Sequence, residues 1–462
     1  MGQTKKLGLG SGIAVCVGLI VATSCLLSLG QGFGLASTGF ILPLFIVVIL
    51  NSFIAISFAE LNSIMPNMNG GVGQYTLIGM GPVASIISNI SAYVLTMIFA
   101  TSVELSMCGM VLHEIFPNIP TVVFSVAILV ILFTLNLYGL DVFSKIQNIV
   151  VILLIGSMAV MGILSFFKLG TGVPITADAM ETPAMTGIGD LIGLAPIAFW
   201  LFIGVEFIIP VAKDLKNPKR NVLLSMILAL LILFVVQAIL GTGMTNYVKL
   251  SVLSESDMPH MVFAENLFGY VGKIWMGLIT LLAAISTLNT ILPSTAKILQ
   301  GMAEENMVPS VFKKINNKNV PVAGMLLVAV VDFLMIITGY VNSNGLVTMI
   351  LAGSCFWLTS YIMTHINVLL LRKRYPNAPR NKKLILFGIP QILGILGNIY
   401  MIWNISSDMD SRIEIYKIFT ILFVILACYA CIWVKFVMKM ELFRPVRVFS
   451  TRKLNSTTLQ KE

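Results

Sequence analysis

The sequence is short of charge. Only 11% of its 462 residues are Asp, Glu, Lys or Arg, against 57% that are apolar. A soluble globular protein carries about a quarter charged residues and under half apolar ones. Between Lys6 and Glu60 no charged residue occurs at all. That run is too long for one membrane span of about 20 residues and suits two with a turn between them. A water-soluble fold needs a polar exterior that this composition cannot supply. A soluble enzyme is excluded, and a disordered chain with it.

Cysteine is also scarce. Cys16, Cys25, Cys108, Cys355, Cys428 and Cys431 all lie inside apolar segments, which excludes a secreted disulfide scaffold. The Cys428-x-x-Cys431 spacing lacks further ligands and is packing in lipid. There is no H-E-x-x-H string and no P-loop, so no metal or cofactor is expected. Gly187-Ile188-Gly189-Asp190 has the G-x-G-D form of an intramembrane aspartyl protease. That chemistry needs two aspartates facing each other at depth; Asp190 lies at an outer mouth and no Tyr-Asp partner occurs. A channel's carbonyl filter or ring of like charges is missing too. The basic start, Met1 to Lys6, precedes an apolar segment longer than a signal peptide's, and Lys6 stands where a myristoylation signal needs Ser or Thr.

What is present is a series of apolar stretches bounded by Gly, Pro, Asn and charged clusters. They predict twelve spans, at 7–34, 39–63, 82–112, 121–140, 143–167, 189–211, 222–246, 271–300, 320–340, 345–371, 384–405 and 413–437. Their lengths and continuous apolar character indicate helices, since barrel strands would be shorter and alternate strictly. The bases are sorted between the intervening loops. All but five of the 29 fall on one side together with the amino terminus and the tail after 437; the exceptions are Lys168, Lys249, Lys273, Arg412 and Lys417. The positive-inside rule places both termini in the cytoplasm. The net charge of +9 therefore marks orientation and no nucleic-acid partner. The basic tail, 438–462, is expected as a solvated segment on the anionic leaflet.

Two of the spans make poor continuous helices. The first carries Gly8, Gly10, Gly12, Gly18, Gly30, Gly32 and Gly34, with Ala22-Thr23-Ser24 in its middle; the sixth runs from Gly189 through Pro196 to Gly204 and Glu206. Breaks five spans apart fit an inverted five-plus-five repeat, in which half-helix ends bind substrate near the midplane. Unpaired N–H groups there suit a carboxylate and unpaired carbonyls suit an ammonium. The alternative is that the glycines merely allow close helix packing.

The residues that resolve this choice form recognisable blocks. Trp200-Leu201-Phe202-Ile203-Gly204-Val205-Glu206, followed by Lys216-Asn217-Pro218-Lys219-Arg220-Asn221, resembles the sixth helix and following loop of amino acid–polyamine–organocation (APC) superfamily transporters of the amino acid permease type, especially arginine–agmatine antiporters. Phe58-Ala59-Glu60-Leu61 with Pro66, Gly70-Gly71 and Gly81-Pro82 is similar to the end of helix two and its re-entrant loop. Ser294-Thr295-Ala296-Lys297 through Met302-Ala303 to Pro309 is similar to the end of helix eight, and Glu104-Leu105 to helix three. The resemblance covers about residues 7–437. It implies an all-α membrane protein of LeuT-like fold with helices 1 and 6 broken. The inverted repeats would lie at about 7–167 and 189–371, followed by two extra helices at 384–437. Gly10-Ser11-Gly12-Ile13 looks like the family's first-helix motif but lies too near the amino terminus. Aligning the upstream glycines puts the break at Ala22-Thr23-Ser24, a departure from the glycine pattern.

The resemblance assigns the substrate contacts to Ala22, Thr23, Ser24, Trp200, Leu201, Phe202, Ile203 and Gly204, with Trp200 as the aromatic that closes over the guest. It implies that Glu206 couples protonation or gating to transport. Glu104 would share that role, or face substrate as a third-helix glutamate does in some cation-selective relatives. An ionisable group at the bilayer centre costs about 2.5–3.5 kcal/mol on insertion scales, so each needs a reason. Asp332 is expected to brace two helices. Glu60 and Lys297, near cytoplasmic ends, are expected to reach water by snorkelling. Leu154 falls near the place where some members carry a lysine instead of a sodium site, while Ser286, Thr287 and Thr290 offer only common hydroxyls. The expected function is secondary transport of an amino acid or related amine across the cell membrane. Proton coupling or exchange is preferred to sodium. A polyamine or ethanolamine-type transporter, or a non-transporting sensor on the same fold, are the alternatives.

Overall fold

The computed structural model describes residues 7–65, 72–138, 147–341, 345–380 and 386–446. Among them every regular element is helical, and one isolated backbone bridge joins Leu7 to Leu215. The first predicted span is two helices, α1 (Leu9–Ile20) and α2 (Thr23–Ala36), separated at Val21 and Ala22, whose backbones are extended. A 3₁₀ turn, Ser37–Phe40, leads into α3 (Ile41–Ile64). Next come α4 (Val72–Met80) and α5 (Pro82–Ile90), which continues through a π-helical turn, Ser91–Leu95, into α6 (Thr96–Ile115). Gly81 takes φ 94° between α4 and α5, a left-handed value that favours glycine, and Pro82 supplies the fixed φ of a first helical position. Two further helices, α7 (Thr121–Leu137) and α8 (Gln147–Phe166), follow.

The sixth span is also interrupted. It consists of α9 (Ile188–Gly193) and α10 (Ala195–Trp200), then irregular turns over 201–204, then a 3₁₀ segment Val205–Asp214. After it come α11 (Pro218–Thr245), the short α12 (Leu250–Glu255), and α13 (Pro259–Glu304), which is kinked at Gly269 with φ 63°. The remaining helices are α14 (Val322–Ile337), α15 (Leu346–Arg374), α16 (Ile389–Trp403) and α17 (Met409–Ile432). Among the described residues, eight helical stretches are long and apolar enough to cross a membrane, and four shorter apolar helices accompany them. The expected spans overlap these segments, and one segment, Thr23–Ile64, takes in parts of the first two spans. Gly10-Ser11-Gly12-Ile13 lies inside α1, where a Cβ on Gly12 would collide with the Ser225 hydroxyl of α11. Its glycine serves helix contact, well before the break.

The core is formed by the inward faces of α1, α2, α3, α6, α10, α11, α13 and α15. Outward faces of α7, α8, α14, α16 and α17 present Val130, Ile152, Leu334, Leu396 and Val424 exposed, as lipid-facing helices do. Buried polar side chains then set how helices meet, because an unpaired polar group in hydrocarbon is costly. Ser57 of α3 is within 3.0 Å of His365 Nδ1 on α15 and accepts from Gln391 of α16 at 3.0 Å. Asp332 of α14 accepts from Thr101 and Ser102 of α6 at 2.9 and 2.8 Å, the helix-to-helix brace expected of it.

Glu60 departs from expectation. It is 3% exposed and accepts from Arg372 Nε at 2.9 Å and Nη2 at 2.6 Å, with Arg380 Nε 3.2 Å away. Instead of snorkelling to water it is held in a bidentate pair, the geometry a planar guanidinium offers a carboxylate. Lys297 is exposed. Of the tail expected after 437, the described part packs beside α4 and α5. There Val83 N–H donates to Leu442 O and Val446 N–H to Leu77 O, each at 3.3 Å. Pro66, Gly70-Gly71, Lys145 and the tail from 447 lie outside the described residues.

Candidate functional site

A helix that stops and restarts leaves backbone groups without intrahelical partners, and both breaks sit in the buried core. At the first, Thr23 and Ser24 open α2 and are buried, while Ala22 is half-buried. Their N–H groups do have a partner. Thr23 N–H donates to Glu104 Oε2 at 3.0 Å and Ser24 N–H to Glu104 Oε1 at 2.8 Å. Glu104 comes from α6, is fully buried, and caps the half-helix as an N-terminal carboxylate should. The Thr23 hydroxyl donates to Thr280 O of α13 at 3.2 Å.

At the second break the freed carbonyls are claimed by side chains. Asn51 of α3 donates to Phe202 O at 3.1 Å, Gln237 of α11 to Leu201 O at 3.3 Å, and the Cys25 thiol of α2 to Trp200 O at 3.7 Å. Gly204 takes φ 107°, which lets the chain turn into the 3₁₀ segment. The two breaks are joined directly: Trp200 Nε1 donates to Ser24 Oγ at 2.9 Å. The indole lies over α15, where a Cβ on Gly353 would approach Trp200 Cζ3 to 3.3 Å. The structure thus brings Ala22, Thr23, Ser24, Trp200, Leu201, Phe202 and Gly204 to one region. Ile203 is half-buried beside them.

Glu206 follows the second break and is 1% exposed. Tyr361 of α15 donates to its Oε2 at 2.8 Å, and Tyr93, from the π turn before α6, to its Oε1 at 3.3 Å. The rings around it form a box. Tyr93 meets Trp357 edge-on at 5.4 Å, and Phe207 lies 5.9 Å from Tyr93 and 6.1 Å from Trp357. Beside Phe207 is a cavity of about 30 Å³, bounded by Met97, Thr290, Ser294 and Thr295. It has room for a water molecule and is far smaller than the roughly 300 Å³ or more of a small-molecule pocket. Trp200 and Ser24 themselves are both buried in this conformation.

Sequence reasoning missed Asn51, Gln237, Tyr93, Trp357, Tyr361 and Thr280. A signal existed for two of them. Asn51 and Gln237 are lone amides in apolar spans, and an amide in lipid asks for a partner. The aromatic box carried no local signal, because ring contacts between distant helices leave no spacing to read.

The comparisons with known proteins agree with this architecture. A putative histidine permease of Bacillus subtilis strain 168 is 23% identical over 401 residues, covering 81% of each chain. A branched-chain amino acid permease of the same organism is 22% identical over 422 residues, covering 84% of this chain and 86% of that one. Among solved structures, a mutant of the manganese transporter of Eremococcus coleocola aligns with a TM-score of 0.61 at 15% identity, covering 92% of this chain and 94% of that one. That likeness shows the fold. The family described as amino acid permease matches residues 7–440, and the chain, a multi-pass membrane protein, belongs to that amino acid permease family of the APC superfamily.

Proposed function

We propose that this permease moves an amino acid or a related amine across the cell membrane by alternating access, driven by protons or by exchange. The observation that carries the reading is the hydrogen bond from Trp200 to Ser24, which ties the break of the first helix to that of the sixth. A guest seated between the breaks would displace this contact. Ala22, Thr23 and Ser24 would then face it from one side, and Trp200 to Gly204 from the other. Trp200 would stack on the guest's cationic or apolar part. In this reading Glu206 is the coupling group, since its carboxyl bridges Tyr93 and Tyr361 and no basic side chain pairs with it among the described residues.

The repeats would run over 7–167 and 189–371, with α16 and α17 as the extra pair. Both termini would be cytoplasmic, on the side that carries most of the bases. The alternating step itself is a rearrangement of the two half-helices against the surrounding helices. Accumulation in proteoliposomes under imposed pH and sodium gradients tests the coupling. Uptake driven by an inward proton gradient, or by a counter-substrate alone, supports the proposal; uptake that demands sodium overturns its coupling part.

A further inference from the structure

We propose that Glu104 occupies the seat of a guest's carboxylate, so that this permease selects amines lacking an α-carboxylate over the parent amino acids. The proposal rests on the transporter reading above and names its substrate class. The N–H groups that open a half-helix, backed by the helix dipole, are the natural place for an anionic substrate group in this architecture. Here that place is filled from within the chain. Both oxygens of Glu104 are engaged, at 3.0 and 2.8 Å, by Thr23 N–H and Ser24 N–H. A guest carboxylate would compete for the same two N–H donors against a carboxyl already tethered on them.

The surroundings favour a cation. No basic side chain pairs with Glu104, Glu206 or Asp332 among the described residues, where every ion pair lies elsewhere, at Lys273, Arg372, Arg380 and Arg444. An ammonium supplies the missing charge. The indole of Trp200, bonded to Ser24 beside the Glu104 carboxyl, offers a face to it. A second, independent observation is Thr280, which is fully buried and takes the Thr23 hydroxyl on its carbonyl. Its own hydroxyl oxygen has no partner among the described residues, so it retains hydrogen-bonding capacity for a guest.

The test uses the full chain, purified and reconstituted, with matched labelled pairs: putrescine and ornithine, histamine and histidine, isoamylamine and leucine. Initial uptake is measured at equal concentration, and thermal stabilisation of the detergent-purified protein by each compound reports binding separately. The proposal expects at least one amine to exceed its parent amino acid by tenfold or more, in uptake and in stabilisation. It also expects Glu104→Ala to shrink that ratio severalfold by freeing the two N–H groups, with Glu104→Gln, which keeps the shape, as the better-folded companion. Parent amino acids moved as well as or better than the amines would overturn the selectivity and leave the transporter reading standing. A ratio unchanged in a folded Glu104 variant would remove Glu104 as the selector. Neither class bound nor moved would overturn both readings.

Discussion

Tyr361 donates a 2.8 Å hydrogen bond to Glu206, so that the carboxyl following the break of the sixth helix is held from α15, 155 residues further along the chain. With Tyr93 on the other oxygen at 3.3 Å, Glu206 joins the 3₁₀ segment of the sixth span, the π turn before α6, and α15. Replacing it with Gln keeps the shape and removes the ionisable group. Glu206→Gln is expected to fold and bind but to lose the dependence of flux on an imposed pH gradient. Initial rates in proteoliposomes with and without that gradient check this. An intact gradient effect would move the coupling group elsewhere.

Trp200→Leu removes both the ring face and the bond to Ser24. A cation–π contact contributes about 1 kcal/mol at exposed sites and about 2 kcal/mol when desolvated, so apparent affinity should fall by roughly 5- to 30-fold while size-exclusion behaviour stays that of folded protein. Trp200→Phe, which keeps a ring without the N–H, should lie between. Kinetics unchanged in the leucine variant would take Trp200 out of the site.

Gly204 has φ 107°, and a Cβ there would approach Phe207 Cδ2 to 3.2 Å. Left-handed backbone costs a residue with a Cβ about 1–2 kcal/mol. Gly204→Ala should therefore lower the melting temperature in detergent and cut flux severalfold, by disturbing the turn that sets Glu206. Equal melting curves and equal flux would show that the turn tolerates a side chain.

The buried pair of Glu60 with Arg372 and Arg380 is structural in this account. Removing one partner of a buried ion pair costs roughly 3–5 kcal/mol, because the remaining charge is left uncompensated. Glu60→Ala should be among the least stable single variants, and its thermal unfolding should show that before any transport defect is scored. A melting curve like that of the parent protein would mean the arginines find water.

Outside the membrane, Glu181 accepts from Ser251 N–H at 2.8 Å and from the Ser251 hydroxyl at 2.9 Å. These bonds hold its carboxyl below the usual carboxylate range. A carboxyl depressed in the folded state stabilises above its ordinary value and stops doing so as pH falls through the depressed one. The tether between the loop 170–186 and α12 should thus persist at neutral pH and loosen only in acid. Hydrogen exchange at the Ser251 amide, followed as pH is lowered and corrected for its intrinsic rate, reads this out. Protection already lost at neutral pH would contradict it.

Much of the fold is legible in the sequence for a physical reason. The hydrophobic requirement of a span is summed over about 20 residues, so spans survive errors at single positions, and glycine-rich interruptions mark breaks because they weaken helices. Glycine marks the first and sixth spans as poor continuous helices, and the family resemblance puts the first break at Ala22-Thr23-Ser24; the structure interrupts the helix at Val21 and Ala22, with Thr23 and Ser24 opening α2. Partnerships are less accessible. Glu104 is visible as a deep acid, but its seat on Thr23 and Ser24 depends on how α6 leans against α2. Glu60 looks like a residue at a helix end able to reach water, and only folding brings Arg372 and Arg380 to it. Residues contributed through a single ring or amide, such as Tyr361 and Asn51, depend on distant helices and leave little local trace.

The central claim is that a guest passes between the two breaks closed by Trp200. Its most direct test is saturable flux of labelled amino acids and amines in proteoliposomes, comparing the parent protein with Trp200→Leu at matched protein content. The account predicts saturable, counter-substrate-sensitive flux of at least one compound in the parent protein and a clearly raised half-saturation concentration in the variant. No flux of any compound above protein-free liposomes would contradict it.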